Sequence, residues 1–214
     1  MYRTVFFDLD GTITESGIGI TRSVAYALKK YGIEEQDQQK LDLFIGPPLI
    51  DSFMKHYGFS KEQAVEAVAH YREYYAVTGI FENRVYDGVR ELLAKLNAAG
   101  VRCVLATSKP EHYALQILEH FDLSKYFPLA AGATMDERRT NKTDVLAYAM
   151  EKAGCTPGAS AVMVGDREHD VLGAKQNGLS CIGVLYGYGS REELTEAGAL
   201  ALAETPYELA ALLL

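Results

Sequence analysis

Hydrophobic and polar positions follow two rhythms along the chain. Near the start, the run TVFF at 4–7 is β-branched and aromatic without a polar interruption, and it stops at Asp8. A short continuous apolar run of this kind fits a buried strand. From there to about residue 81 the spacing becomes helical. Ser16 stands as a cap ahead of a stripe of Ile20, Val24, Ala27, Leu28 and Tyr31, and Pro47 and Pro48 open a second helix. Ser60 and Gln63 have capping-box spacing ahead of a third, over 64–77.

Beyond this stretch, strands and helices alternate. A helix from Asp87 to Gly100 leads into RCVLAT, one from Pro110 precedes PLAAGA, one over 141–152 precedes AVMVGD, and one ending at Gly178 precedes CIGVLYG. Two last helices open at Ser190 with Glu193 and at Thr205 with Pro206 and Glu208. Near-continuous apolar strands alternating with helices imply an α/β fold whose parallel sheet is covered on both faces. The expected organisation is a Rossmann-like α/β core, residues 1–14 and 82–214, with a small α-helical cap domain at 15–81 inserted after the first strand. Open α/β sheets bind ligands beside the carboxyl ends of their strands, so an insertion at that point is placed to act as a lid.

Composition narrows the function classes. The 214 residues carry a net charge of −8 and no run of Lys or Arg, which argues against a nucleic acid or an anionic membrane as partner. No segment approaches the ~20 apolar residues of a membrane span, and acids stand where a signal peptide needs an apolar core. The three cysteines, Cys103, Cys155 and Cys181, lie far apart and read as reduced core thiols, so a cytoplasmic location is expected.

Polar residues collect at the ends of three of the expected strands: Asp8 and Asp10 after TVFF, Thr107, Ser108 and Lys109 after VLA, and Asp166 and Asp170 after VMVG. In a parallel sheet those ends share one edge. Carboxylates crowded there repel by roughly 4 kcal/mol per pair at 4 Å and an effective dielectric of 20. Hard oxygen donors of this kind suit Mg²⁺. Hydroxyls and backbone N–H groups at 107–108, and the point charge of Lys142, suit a phosphate. Arg138 and Arg139 lie close enough in DERRTNK to compete with Lys142 for that part. Asp170 has the alternative of supporting the helix that follows it, and Lys109 could meet substrate or solvent. The glycine-rich YGYGS at 186–190 reads as a turn into the Ser190-capped helix in preference to a phosphate cradle.

These residues resemble the four motifs of the haloacid dehalogenase superfamily of phosphohydrolases, over nearly the whole chain. DLDGT at 8–12 is similar to the first, Thr107 of ATSKP to the second, Lys142 of TNKTDV to the third, and the GDxxxD pattern of GDREHD, with Asp166 and Asp170, to the fourth. The resemblance implies a HAD-like core and an aspartyl-phosphate mechanism, with Asp8 as nucleophile and Asp10 as acid and base. It also implies Mg²⁺ held by Asp8, the Asp10 backbone carbonyl and Asp166, with Asp170 as ligand or neighbour. Thr107, Ser108, Lys109 and Lys142 would hold the phosphoryl group. Gly46 and Pro47 of FIGPPL resemble a segment that faces substrate in related phosphatases.

The expected function is Mg²⁺-dependent hydrolysis of a small phosphorylated metabolite, similar to the phosphoglycolate phosphatase and 5′-nucleotidase branch, by a monomer or weak homodimer. A sugar-phosphate mutase and a non-enzymatic phosphometabolite-binding protein are the alternatives. Asp10 argues against a dehalogenase, which has no leaving alkoxide to protonate.

Overall fold

A computed structural model describes residues 2–136, 138–158 and 160–214. In chain order the strands are β1 (Thr4–Phe7), β2 (Thr14–Glu15), β3 (Arg84–Val85), β4 (Arg102–Pro110), β5 (Leu129–Ala133), β6 (Ala161–Gly165), β7 (Ser180–Val184) and β8 (Ala201–Ala203). The helices are α1 (Gly17–Lys30), α2 (Gln38–Asp42), α3 (Leu49–Tyr57), α4 (Lys61–Tyr75), α5 (Val89–Ala98), α6 (Glu111–His120), α7 (Lys142–Ala153), α8 (Glu168–Gln176), α9 (Arg191–Ala197) and α10 (Pro206–Leu213).

Six strands form one parallel sheet in the order β5-β4-β1-β6-β7-β8. Phe7 at the end of β1 lies opposite Leu105 of β4 on one side and Val164 of β6 on the other. Strand order therefore reverses about β1, and the carboxyl ends of β4, β1 and β6 stand side by side, which is where such a sheet leaves a crevice for ligands.

Pleating sends alternate side chains to opposite faces. Phe6, Val104, Ala106, Met163 and Cys181 join Val145 and Leu146 of α7, Val171 of α8 and Leu194 of α9 in one buried cluster. Their neighbours Val5, Phe7, Leu105, Val162 and Val164 are equally buried, and Phe7 meets Phe127 edge-on at 6.1 Å. Burial on both sides explains why the strands read as unbroken apolar runs.

The chain divides into two compact units, residues 1–14 with 85–214 and residues 15–84. The sequence expectation put the return at 82; the contact boundary falls between Arg84 and Val85. The second unit is helical. In it α1 and α3 pack on α4, around Val24, Ala27, Leu28, Phe44, Phe53, Ala64, Ala67 and Tyr71. The Ser60 and Gln63 capping box at the start of α4 forms as expected.

Two local expectations are corrected. Ser16 precedes α1 but its side chain makes no cap bond, because its backbone (φ −95°, ψ 1°) is outside the extended region a capping side chain needs. Helix α5 begins at Val89 behind Gly88, whose φ of 86° bars a helical start at Asp87. Helix α2 and strand β8 were not anticipated; both are too short for periodicity to register. No helix among the described residues is long and apolar enough to cross a membrane.

Candidate active site

Asp8 is the first residue past β1, and its backbone N–H continues the ladder to the Val164 carbonyl at 2.9 Å. Its carboxylate is thereby set against the ends of β4 and β6. Asp166 and Asp170 follow β6, and one oxygen from each of the three acids lies within 4.8 Å of the others, all three residues buried. Lys142, the first residue of α7, enters the group from the side. Its Nζ stands 2.6 Å from Asp8 Oδ1 and 2.8 Å from Asp170 Oδ1, and it donates to the Ala106 carbonyl at 3.1 Å. Neither carboxylate oxygen receives a well-aligned hydrogen bond from it. The attraction is one of close charges, which tolerates poor angles.

Three of the other carboxylate oxygens have structural tasks. Asp170 Oδ2 accepts from the Arg167 N–H at 3.1 Å at the mouth of α8, so the helix-supporting reading of Asp170 and the site reading are both met by one side chain. Asp166 Oδ1 accepts from the Thr12 hydroxyl at 3.4 Å and Oδ2 from the Tyr188 N–H at 2.8 Å. Tyr186 donates its hydroxyl to the Thr12 carbonyl at 3.1 Å. YGYGS is thus a clasp on Asp166 and the DLDGT turn. Sequence reasoning saw its glycines but gave them only a turn to make. Close approach is what requires them: a Cβ at Gly187 would overlap the Gly11 carbonyl and Asp166, and a Cβ at Gly11, whose φ is 81°, would overlap the Asp166 carboxylate.

Burial, then the charges of Asp170 and Asp8, push the Asp166 carboxyl well above the usual carboxylate range. Burial likewise raises Asp170, with Lys142 opposing. For Lys142 burial alone would lower the ammonium, but Asp170 and Asp8 outweigh it and the net shift is upward, so the lysine stays charged. With all three acids ionised, one ammonium would leave two formal negative charges. An all-oxygen donor set with that deficit fits one divalent cation such as Mg²⁺.

Asp10 sits apart from this trio. Its Oδ2 meets Lys109 Nζ at 2.9 Å, with the two side chains 11% and 5% exposed. Lys109 is therefore not a solvated surface lysine. Thr107 is buried, and its Oγ1 accepts from the Lys109 N–H at 3.2 Å; Ser108 is half-buried beside it.

The competing cations lie elsewhere. Arg139 stacks on the Tyr148 ring at 3.6 Å and donates to the Gly132 carbonyl, and Arg138 pairs with Asp136 at the surface. Among these three residues it is Lys142 that reaches Asp8. Gly46 and Pro47 belong to the helical unit, in the turn before α3, where Gly46 has φ 106°.

The chain resembles known proteins over most of its length. A family model described as haloacid dehalogenase-like hydrolase matches residues 5–184. A 5′-nucleotidase of Pseudomonas aeruginosa is 47% identical over 193 residues, 90% of this chain and 87% of that one. Tyrosine-protein kinase PtkA of Mycobacterium tuberculosis is 42% identical over 185 residues, 86% of this chain but 62% of the kinase. Phosphoglycolate phosphatase 1 of Pseudomonas aeruginosa is 31% identical over 202 residues, 91% and 73% of the two chains. The crystal structure of a predicted phosphatase from Clostridium acetobutylicum superposes with a TM-score of 0.96 at 47% identity, covering 99% and 97%.

Proposed function

The chain belongs to the haloacid dehalogenase-like hydrolases and is a phosphoric monoester hydrolase, and from that premise we propose that it hydrolyses a small phosphorylated metabolite through an aspartyl-phosphate on Asp8, in the manner of a 5′-nucleotidase or phosphoglycolate phosphatase. The observation that carries the reading is the separation of the two N-terminal acids. Asp8 is fixed among Asp166, Asp170 and Lys142, while Asp10 has its own lysine and one buried oxygen, Oδ1, without a hydrogen-bond partner among the described residues. A nucleophile needs the first environment and a proton carrier the second.

In the first half-reaction a carboxylate oxygen of Asp8 attacks phosphorus, the bond to the ester oxygen breaks, and Asp10 gives that oxygen a proton. In the second, Asp10 takes a proton from water as the water oxygen attacks phosphorus, and the bond to Asp8 breaks to release phosphate. Lys142 orients Asp8, and Thr107 and Ser108 at the end of β4 offer donors to the phosphoryl oxygens. Mg²⁺ would be held by Asp8 and Asp166 with Asp170 beside them, as the donor set fits, and when bound it supplies positive charge against the carboxylates and the phosphate. Gly46 and Pro47 are proposed to contribute to substrate choice.

The test is phosphate release from a panel of nucleoside monophosphates, phosphoglycolate and sugar phosphates, with Mg²⁺ and with EDTA, for the parent and for Asp8→Asn. Stoichiometric free phosphate, lost on chelation and in Asp8→Asn, is expected. Turnover indifferent to EDTA, or near-parent turnover in Asp8→Asn, would overturn the mechanism. Phosphate moved to another sugar position, with none released, would make the protein a mutase.

A further inference from the structure

Lys109 is held where an ordinary strand would not put it. Strand β4 pairs with β5 regularly up to Thr107 opposite Gly132, and the next pair is Pro110 opposite Ala133. Ser108 and Lys109 are thus extra residues in the ladder, and bulges of this kind re-aim side chains beside functional sites. The Lys109 N–H donates to Thr107 Oγ1 at 3.2 Å. The outcome is a buried ammonium 2.9 Å from Asp10 Oδ2. Asp10 Oδ1 is also buried and accepts no hydrogen bond from any described residue. Leaving such an acceptor unpaired costs about 1–3 kcal/mol. The arrangement makes sense if Oδ1 acquires a partner only when substrate or water arrives.

Resting on the phosphatase reading above, we propose that Lys109 is a positioning residue for Asp10. By engaging Oδ2 it directs Oδ1 at the ester oxygen, and its partner is that carboxylate in preference to the substrate phosphate. When phosphorus passes to Asp8, the electron pair of the broken ester bond goes to the departing oxygen, which takes its proton from Oδ1. When water attacks the aspartyl-phosphate, its proton returns to Oδ1 and the electron pair of the broken bond returns to Asp8. Lys109 neither gains nor loses a proton in either step.

The consequence is selective. Departure of an alkoxide needs that proton, whereas a nitrophenolate leaves without it. Since kcat/KM covers the steps up to departure of the leaving group, its ratio between an alkyl phosphate and p-nitrophenyl phosphate isolates the proton delivery. The ratio is also independent of how much of a variant is folded. Lys109→Met is expected to lower the alkyl-to-aryl ratio at least about tenfold, a part of the 10²- to 10⁴-fold that positioned acid catalysis contributes. Lys109→Arg, which keeps a cation, should restore part of it, and adding Lys109→Met to Asp10→Asn should lower it no further. Equal losses on both substrates, concentrated in KM, would mean that Lys109 grips the phosphate and would overturn the proposal. An unchanged ratio in Asp10→Asn itself would instead show that Asp10 is not the acid, a failure of the phosphatase reading.

Discussion

Replacing Lys142 by methionine is the most demanding test of the site's electrostatics, because the side chain fits but the charge goes. At 2.6 and 2.8 Å from Asp8 and Asp170, each attraction is about 6 kcal/mol at an effective dielectric of 20. Much of this is offset in the parent by the cost of burying the ammonium. Breaking a buried pair by removing one partner typically leaves a net loss of about 3–5 kcal/mol, a large part of a domain's stability. The loss must also depend on pH. Burial raises the Asp166 and Asp170 carboxyls in the folded chain, and Lys142 is the largest influence opposing the rise at Asp170. A carboxyl raised on folding favours the folded state while protonated, and that contribution disappears as pH rises from the unfolded value through the folded one. Without Lys142 the folded value climbs further and the decline with pH lengthens. Urea unfolding in EDTA should therefore show a penalty for Lys142→Met that is larger at about pH 8 than at about pH 5.5. A penalty below about 1 kcal/mol, or one equal at both pH values, would refute the claim that Lys142 offsets the trio.

Two further outcomes follow from groups around the site and from the core. Gly187→Ala should weaken Mg²⁺ binding about 10- to 100-fold, since its Cβ would displace Asp166 or the Gly11 carbonyl; calorimetric titration yielding the parent affinity would show that the clasp does not orient the acid. Burial, against a weaker contribution from the Asn97 amide, pushes the Cys103 thiol up from 9.0 to about 12. The folded state therefore resists ionisation that the unfolded chain undergoes, and stability should fall by about 1.4 kcal/mol per pH unit above roughly pH 9. Cys103→Ala should lack that part of the decline in unfolding measured at about pH 8 and pH 10, and parallel declines would refute it.

The fold was legible because its signals are local and repeated. Apolar strand runs such as TVFF and AVMVG, alternating with helical stretches, imply a parallel sheet, and a parallel sheet brings its carboxyl ends to one edge. That alone let Asp8, Thr107 and Asp166 be grouped from distant parts of the chain. What stayed illegible depends on single departures from periodicity. The rival claims of Lys142 and the two arginines could not be ranked from DERRTNK. In the structure Asn141 caps α7 by accepting from Asp144 N–H, which makes Lys142 the first helical residue, while Arg139 is drawn off to Tyr148. The bulge that turns Lys109 inward, and the closeness of Gly187 to Gly11, have no signature in residue type either.

The pairing of each N-terminal acid with its own lysine bears on how one short turn serves two opposite electrostatic needs. Asp8 must remain an anion next to other anions, so its partner is a lysine from α7 that is shared with Asp170. Asp10 must change charge twice in each proposed cycle. Were it to lean on Lys142 as well, every proton it gained or lost would alter the field holding the nucleophile, by several kcal/mol at these distances. A second cation from β4, paired with Oδ2 of Asp10, separates the two functions. In the proposed mechanism the two-residue spacing of DLD serves one phosphorus with both acids, and two lysines from different elements let one of them pass a proton without disarming the other.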